Sequence, residues 1–236
     1  MSGGGLTGPP ETVDELDRGR AAFGRRAWAD AHAALTAADQ ESGLAPADIE
    51  SLAIATRLLG CEDEAAATWE RAYRNNTNRA DHAAAARCAC RLAFDFFNRG
   101  EVARGAGWLA RARRHLDQVG QECAEHGYVA LPVAIEQVYA GDWAGALANA
   151  ETALAVGERC RDIDLVAFAR CVIGRTLIRQ GKVADGMALL DEVMVAVIAD
   201  DVSPSLAGDL YCSVIEGCQD AYDLRRAREW TAALAA

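Results

Sequence analysis

The pair Cys88-x-Cys90 in "ARCACRLAF" is the first place in this sequence where metal chemistry suggests itself, because closely spaced thiolates are common zinc ligands. On a helix, residues two apart project about 200° away from each other, so these thiols cannot share an ion. Cys212 and Cys218 fail for the same reason, and no Cys-x-x-Cys or His–Cys cluster accompanies them. The histidines His32, His82, His115 and His126 have no shared spacing, which points to surface or interhelix roles. Neither a metal nor any other cofactor is expected.

Carboxylates are the next candidates. The clusters "CEDEAA", "GERCRDID" and "IADDVS" read as helix starts, where acidic side chains cap free amides and complement the helix dipole. Paired acid–base work is the weaker reading. No phosphate-cradling loop or Gly-x-Ser-x-Gly elbow is present, and the elbow needs a strand that the sequence does not predict. The expectation is a protein that is not an enzyme.

Bulk properties narrow the partners. The 236 residues are 51% hydrophobic and 25% charged, a globular composition. A net charge of -11 opposes direct nucleic-acid contact, since the phosphate backbone is held by excess Lys and Arg. No apolar run is long enough for a bilayer span, so no membrane role is expected. The start, "MSGGGLTGPP", lacks the features of a secretory signal and reads as a flexible tail over residues 1–10. The eight cysteines, in stretches such as "FARCVIGRTL" and "LYCSVIEGCQD", then read as free, buried thiols in a reducing cytoplasm.

What must position any site is a repeat. "LLGCEDEAAATWERA", "NRGEVARGAGWLARA", "YAGDWAGALANAETA" and "RQGKVADGMALLDEV" share one frame. Their glycines Gly60, Gly100, Gly141 and Gly181 are 40, 41 and 40 residues apart. A small residue follows each glycine by five positions: Ala65, Gly105, Ala146 and Gly186. The frame extends outward to Ala31 and Ala227, giving small-residue spacings of 34, 40, 41, 40 and 41. Apolar residues on both sides of each glycine recur with helical period, as Trp143, Ala146, Leu147, Ala150 and Leu154 do. The glycine is expected to end a first helix in the left-handed conformation, and the small residue to let a second helix cross closely. The spacing predicts helix hairpins over approximate units 11–44, 45–78, 79–120, 121–160, 161–201 and 202–236, and no strands.

The positions of the small residues resemble the tetratricopeptide repeat. That resemblance implies an all-α, right-handed superhelical solenoid of about six tetratricopeptide-like hairpins, in one repeat domain over 11–236. Its concave groove would be lined by the first helix of each pair. "GRAAFGRRAWADAHAALTAAD", "RGEVARGAGWLARARRHLD", "GKVADGMALLDEVMVAV" and "YDLRRAREWTAAL" also resemble the repeat region of actinobacterial LuxR-class, maltose-activator-like transcriptional regulators. In that family the repeats act as a sensor or partner-binding arm. The DNA-binding module lies at the far C-terminus.

Counting back from each turn by the repeat register selects the groove residues. They are Arg57; Arg87, Arg91, Phe94 and Phe97; Tyr128, Leu131, Ile135 and Tyr139; Phe168, Arg175 and Arg179; and Glu216. An aromatic and aliphatic middle flanked by arginines suits a peptide or protein partner, or a small effector. Aromatics at this spacing equally serve as core packing. Two readings follow: a non-catalytic recognition module, or a small-molecule binder or enzyme of specialised metabolism using the same scaffold. An open groove favours the first and a closed pocket the second. The final segment, "DLRRAREWTAALAA", carries Trp230 and Leu234 on an amphipathic stripe without a following repeat. The chain is therefore expected to be a fragment of a longer protein, with an end-to-end homodimer through the C-terminal helix covering that stripe.

Overall fold

The computed structural model describes residues 14–234. The tail at 1–10 and the side chain of Leu234 lie outside the described residues. Thirteen helices and no strand are found among those described: α1 (Glu15–Gly24), α2 (Trp28–Ser42), α3 (Pro46–Leu58), α4 (Glu62–Asn78), α5 (His82–Asn98), α6 (Val102–Leu116), α7 (Glu125–Tyr128), α8 (Leu131–Ala140), α9 (Trp143–Cys160), α10 (Ile163–Arg179), α11 (Val183–Ile198), α12 (Pro204–Asp220) and α13 (Leu224–Leu234). None of these helices is long and apolar enough to cross a membrane.

Local chemistry sets the helix ends. Asp14, Asp81, Asp142 and Asp162 each accept a hydrogen bond from an amide of the following first turn, satisfying a donor the helix leaves free. Pro46, Pro132 and Pro204 stand at first-turn positions, where the missing amide costs nothing. Gly60, Gly100, Gly141 and Gly181 take φ of 78°, 73°, 80° and 82°, the left-handed turns expected between paired helices. The same conformation falls on non-glycine residues at Arg26 and Tyr222, the turns of the first and last pairs, and on Ala80, Arg161 and Asp200 between pairs. The "IADDVS" acids accordingly occupy a turn, one residue of it left-handed, rather than a helix start.

The chain divides into two compact units, one reaching to Thr68 and the other running from Trp69. In the first, Ala22, Ala31 and Ala55 form a small interior sealed by Phe23, Ala27 and Trp28. Arg20 on α1 grips buried Asp48 on α3 through two hydrogen bonds of 2.8 Å each. That geometry answers the charge that Asp48 carries inward.

The second unit has the larger core, in which Leu131, Leu165, Leu190, Met194, Leu210 and Val214 are all completely buried. Helices α5/α6, α8/α9, α10/α11 and α12/α13 are antiparallel pairs within it. The small residue of each repeat sits where paired helices cross. A Cβ on Gly186 would lie 2.5 Å from the Gly174 carbonyl oxygen of α10, so only glycine permits this approach. Ala146 is completely buried at the equivalent place, and Ala31 and Ala65 are buried at theirs in the first unit.

One element departs from the regular pattern. The segment before Gly141, expected as one first helix, is split into α7 and α8. Pro132 cannot donate to a preceding turn, so a new helix starts there. Tyr128 and Leu131 thus sit on different helices.

Candidate functional site

The candidate residues of the second unit lie on α5, α7, α8, α10 and α12, and the structure brings part of that set together. Arg175 on α10 lies 2.7 Å from the Glu216 carboxylate on α12. It also donates to the Tyr139 hydroxyl on α8 at 3.4 Å, with its guanidinium 5.8 Å from the Tyr139 ring centre. Only 12% of the Arg175 side chain is exposed, whereas Tyr139 is 64% exposed. Burial works against the Arg175 charge, but the Tyr139 oxygen and the Glu216 carboxylate outweigh it and hold the guanidinium above its ordinary value. Its Nε is buried without a hydrogen-bond partner.

One turn further along, Arg179 lies 2.9 Å from Asp220. The two pairs form a ladder between α10 and α12, each rung joining residues one repeat apart. Arg87 on α5 is likewise drawn to buried Glu125 on α7, at 3.5 Å. Three of the candidate arginines are therefore counterbalanced by carboxylates of this chain, of which the sequence reading had selected Glu216 but not Asp220 or Glu125. Arg91 on α5 is half-buried, close enough to Cys90 and Tyr128 to act on both electrostatically. Arg57 lies half-buried on α3, in the first unit.

The apolar candidates divide between face and interior. Leu131 is fully buried and Phe168 nearly so, which makes them core rather than accessible lining. Phe94 packs on Phe168 with ring centres 5.0 Å apart, and Ile135 leans on the same core. Phe97 fills the space left by Gly105 where α5 crosses α6. The Tyr128 hydroxyl donates to Asp162 at 3.1 Å, and burial, then the Asp162 charge, pushes its ionisation well above the phenol's ordinary range. Asn98 on α5 donates to Asp209 on α12 at 3.2 Å. Through the Phe94–Phe168 and Asn98–Asp209 contacts, α5 reaches both α10 and α12, so part of the expected groove is filled by the chain itself.

Of the histidines expected in surface or interhelix roles, two pair across helices. His82 and His115 meet, Nδ1 to Nδ1, at 3.0 Å. Cys123 Sγ lies 3.3 Å from His126 Nδ1, which corrects the expectation that no His–Cys cluster exists; the i, i+3 spacing was its only signal. Burial, followed by Glu125, pushes the Cys123 thiol up to about 11, so it stays protonated and is a poor nucleophile or ligand. Among the described residues no group of three or more His, Cys, Asp or Glu is placed to hold a metal ion. Cys88, Cys90, Cys171 and Cys218 are buried as expected, but Cys61 and Cys212 are exposed. Elsewhere in the second unit, α11 and the α12–α13 turn form an open groove. Val183, Met187 and Ala221 line it, and Asp191 lies 3.4 Å from Arg226 at its rim.

The architecture is shared with solved structures. A Rap protein complexed with Competence and Sporulation Factor matches with a TM-score of 0.62 at 13% identity, over 94% of this chain and 75% of that one. BtubC (BKLC) from P. vanneervenii matches with a TM-score of 0.54 at 17% identity, over 78% of each chain. The nearly identical TPR-like repeats of a Podosopora anserina kinesin light chain give 0.51 at 14% identity, over 79% of this chain and 94% of that one. No protein-family profile matches the sequence, and no curated protein matches it. The structural likeness establishes the fold as an all-α solenoid of tetratricopeptide-like helix hairpins.

Proposed function

We propose that the second unit is a non-catalytic recognition module whose first-helix face binds an extended peptide or a helix of a partner protein. The observation that carries this reading is the run Tyr139, Arg175, Glu216, in which α8, α10 and α12 each supply one side chain to a single ordered array. Aromatic and arginine side chains dominate binding energy at interfaces, and groups already held in place lose little freedom on association. A surface built across successive repeats suits a ligand that runs along them. The Rap structure, itself complexed with Competence and Sporulation Factor, supports ligand recognition by this type of scaffold.

The resemblance of "GKVADGMALLDEVMVAV" and its companions to LuxR-class repeat regions supports a finer reading. The module serves as the sensor or partner-binding arm of such a regulator, or of a stand-alone relative. Trp230, expected on an uncovered stripe, packs partly on this chain's own core, so docking of a second copy on α13 would rest on the exposed positions beside it, such as Arg228 and Ala232. Sizing the protein in solution before and after Trp230→Glu tests this: a dimer indifferent to the new charge removes that part of the proposal.

Peptide selection by display on the full chain tests the main proposal. Selected peptides should raise the melting temperature, because a ligand that binds only the folded state stabilises it. Tyr139→Ala should weaken that binding at least about tenfold, as loss of an interface aromatic does. Peptides that bind Tyr139→Ala as well as the parent chain would reject the assignment.

A further inference from the structure

His82 is the first residue of α5, and His115 stands one residue before the end of α6. Their Nδ1 atoms are 3.0 Å apart, and the rings are tilted by 39° with centres separated by 5.3 Å. The other nitrogen of His115, Nε2, lies 3.1 Å from the Tyr73 hydroxyl and 3.5 Å from Thr77 Oγ1, both on α4. Tyr73 in turn stands edge-on to Trp108 of α6, with ring centres 5.0 Å apart. One imidazole pair therefore links the end of α4 to both helices of the next hairpin.

Two imidazole nitrogens at this distance can hold one proton between them and no more. In the neutral pair one Nδ1–H donates and the other Nδ1 accepts. A first added proton goes to the Nε2 of the donor ring and leaves the shared hydrogen bond intact. A second must go to the accepting Nδ1, which sets two N–H groups and two positive charges against each other. Tyr73 bridges either neutral arrangement, because its hydroxyl both donates and accepts.

The surrounding charges give the second proton little relief. Arg114 faces the pair from α6 and adds positive charge, while Arg111 is stacked on Trp108 at 4.4 Å. From the α5 side, the Asp81 carboxylate, which accepts from the Ala84 amide at 3.0 Å, keeps its negative charge next to His82 in the chain and opposes their effect. From α4 the contacts are the neutral Tyr73 and Thr77. Burial, then His82, then Arg114, all lower the His115 ionisation from its ordinary value.

We propose that His82 and His115 form a proton-sensing clasp: carrying one charge or none, it fastens the end of α4 to the α5–α6 hairpin, and the second proton releases it. The sign follows from the lowered native ionisation of His115. Its contribution to stability is complete above about pH 6.5, the ordinary histidine value, and is lost as pH falls from there through the native value. This inference is independent of the peptide-binding proposal.

Histidine NMR titration of the full chain, paired with hydrogen exchange, provides the test. The two rings should titrate as a coupled pair, with the second step displaced to lower pH than the first. Amides of residues 73–78 and 113–116, corrected for intrinsic rates, should exchange at least about tenfold faster once the second step is passed, the loss that one unit of displacement entails. His82→Asn keeps a donor for His115 and removes one titrating ring, and should abolish the acid-induced exchange. His115→Gln provides the same comparison from the other ring should His82→Asn fail to fold. Two independent titrations at ordinary histidine values in the parent chain, or exchange at these amides that ignores the second step, would overturn the clasp without any variant.

Discussion

Arg175 and Glu216, one repeat apart on α10 and α12, meet at 2.7 Å, and the arginine is buried while its partner is half in water. The pair therefore fixes a cation inside the face that we assign to recognition. It also joins the fifth helix pair to the sixth. Removing the carboxylate leaves a buried guanidinium with only the Tyr139 oxygen and solvent at its edge. Glu216→Ala should cost about 1–2 kcal/mol in denaturant unfolding, the penalty of a charge that loses its hydrogen-bonded partner. Adding Arg175→Met to that variant should recover most of the loss, since an apolar side chain needs no counter-charge there. Additive losses from the two changes would show that the pair is not coupled.

Gly107 and Gly186 both lie in second helices of hairpins, but only Gly186 is required by a close approach, and two alanine substitutions distinguish them. On Gly186 a Cβ would lie 2.5 Å from the Gly174 carbonyl oxygen and 2.7 Å from Ile178 Cγ1. Gly186→Ala should therefore destabilise the second unit by about 1–3 kcal/mol, as overpacking does. Gly107, on the exposed side of α6, has nothing within 4 Å of its added Cβ. Gly107→Ala should stabilise by about 0.5–1 kcal/mol through helix propensity alone. Thermal melts of the two variants should move in opposite directions.

The thiols give a further check on burial. Burial drives the Cys171 thiol up to about 12 and leads the rise of Cys218 to about 11, with Cys90 displaced upward still more strongly. A thiol reacts as its thiolate, so these three should resist alkylation in the native protein. Iodoacetamide at pH about 8 should label exposed Cys61 and Cys212 first, read by peptide mass spectrometry. Early labelling of Cys90 or Cys171 would contradict the packing described for α5 and α10.

The glycine register made the turns legible, because a left-handed residue after an apolar helical stretch leaves a visible glycine. Where Arg26, Ala80, Arg161, Asp200 and Tyr222 take that conformation, no residue type announces it. Small residues at a fixed offset announced the helix crossings, and Gly186 and Ala146 sit at two of them. The site was harder to read. Repeat register placed Leu131 and Tyr139 in one set, yet Leu131 is completely buried and Tyr139 is 64% exposed. A register counts positions along helices but does not say which way each one faces: Leu131 and Tyr139 lie on the same helix α8, about 80° apart round its axis, so one meets the core and the other solvent. The Arg175–Glu216 and Arg179–Asp220 pairs each span 41 residues, so the repeat spacing held their signal unused. His82 and His115 are 33 residues apart, which matches neither the 40- to 41-residue spacing nor a helical one.

The account stands most directly on where a bound peptide lies. Hydrogen-exchange protection of the full chain, measured with and without a display-selected peptide, locates it without a mutation. Protection concentrated on α8, α10 and α12, around Tyr139, Arg175 and Glu216, is the predicted result. Protection confined to α11 and α13, around Met187 and Arg226, or absent from the first helices altogether, would contradict it.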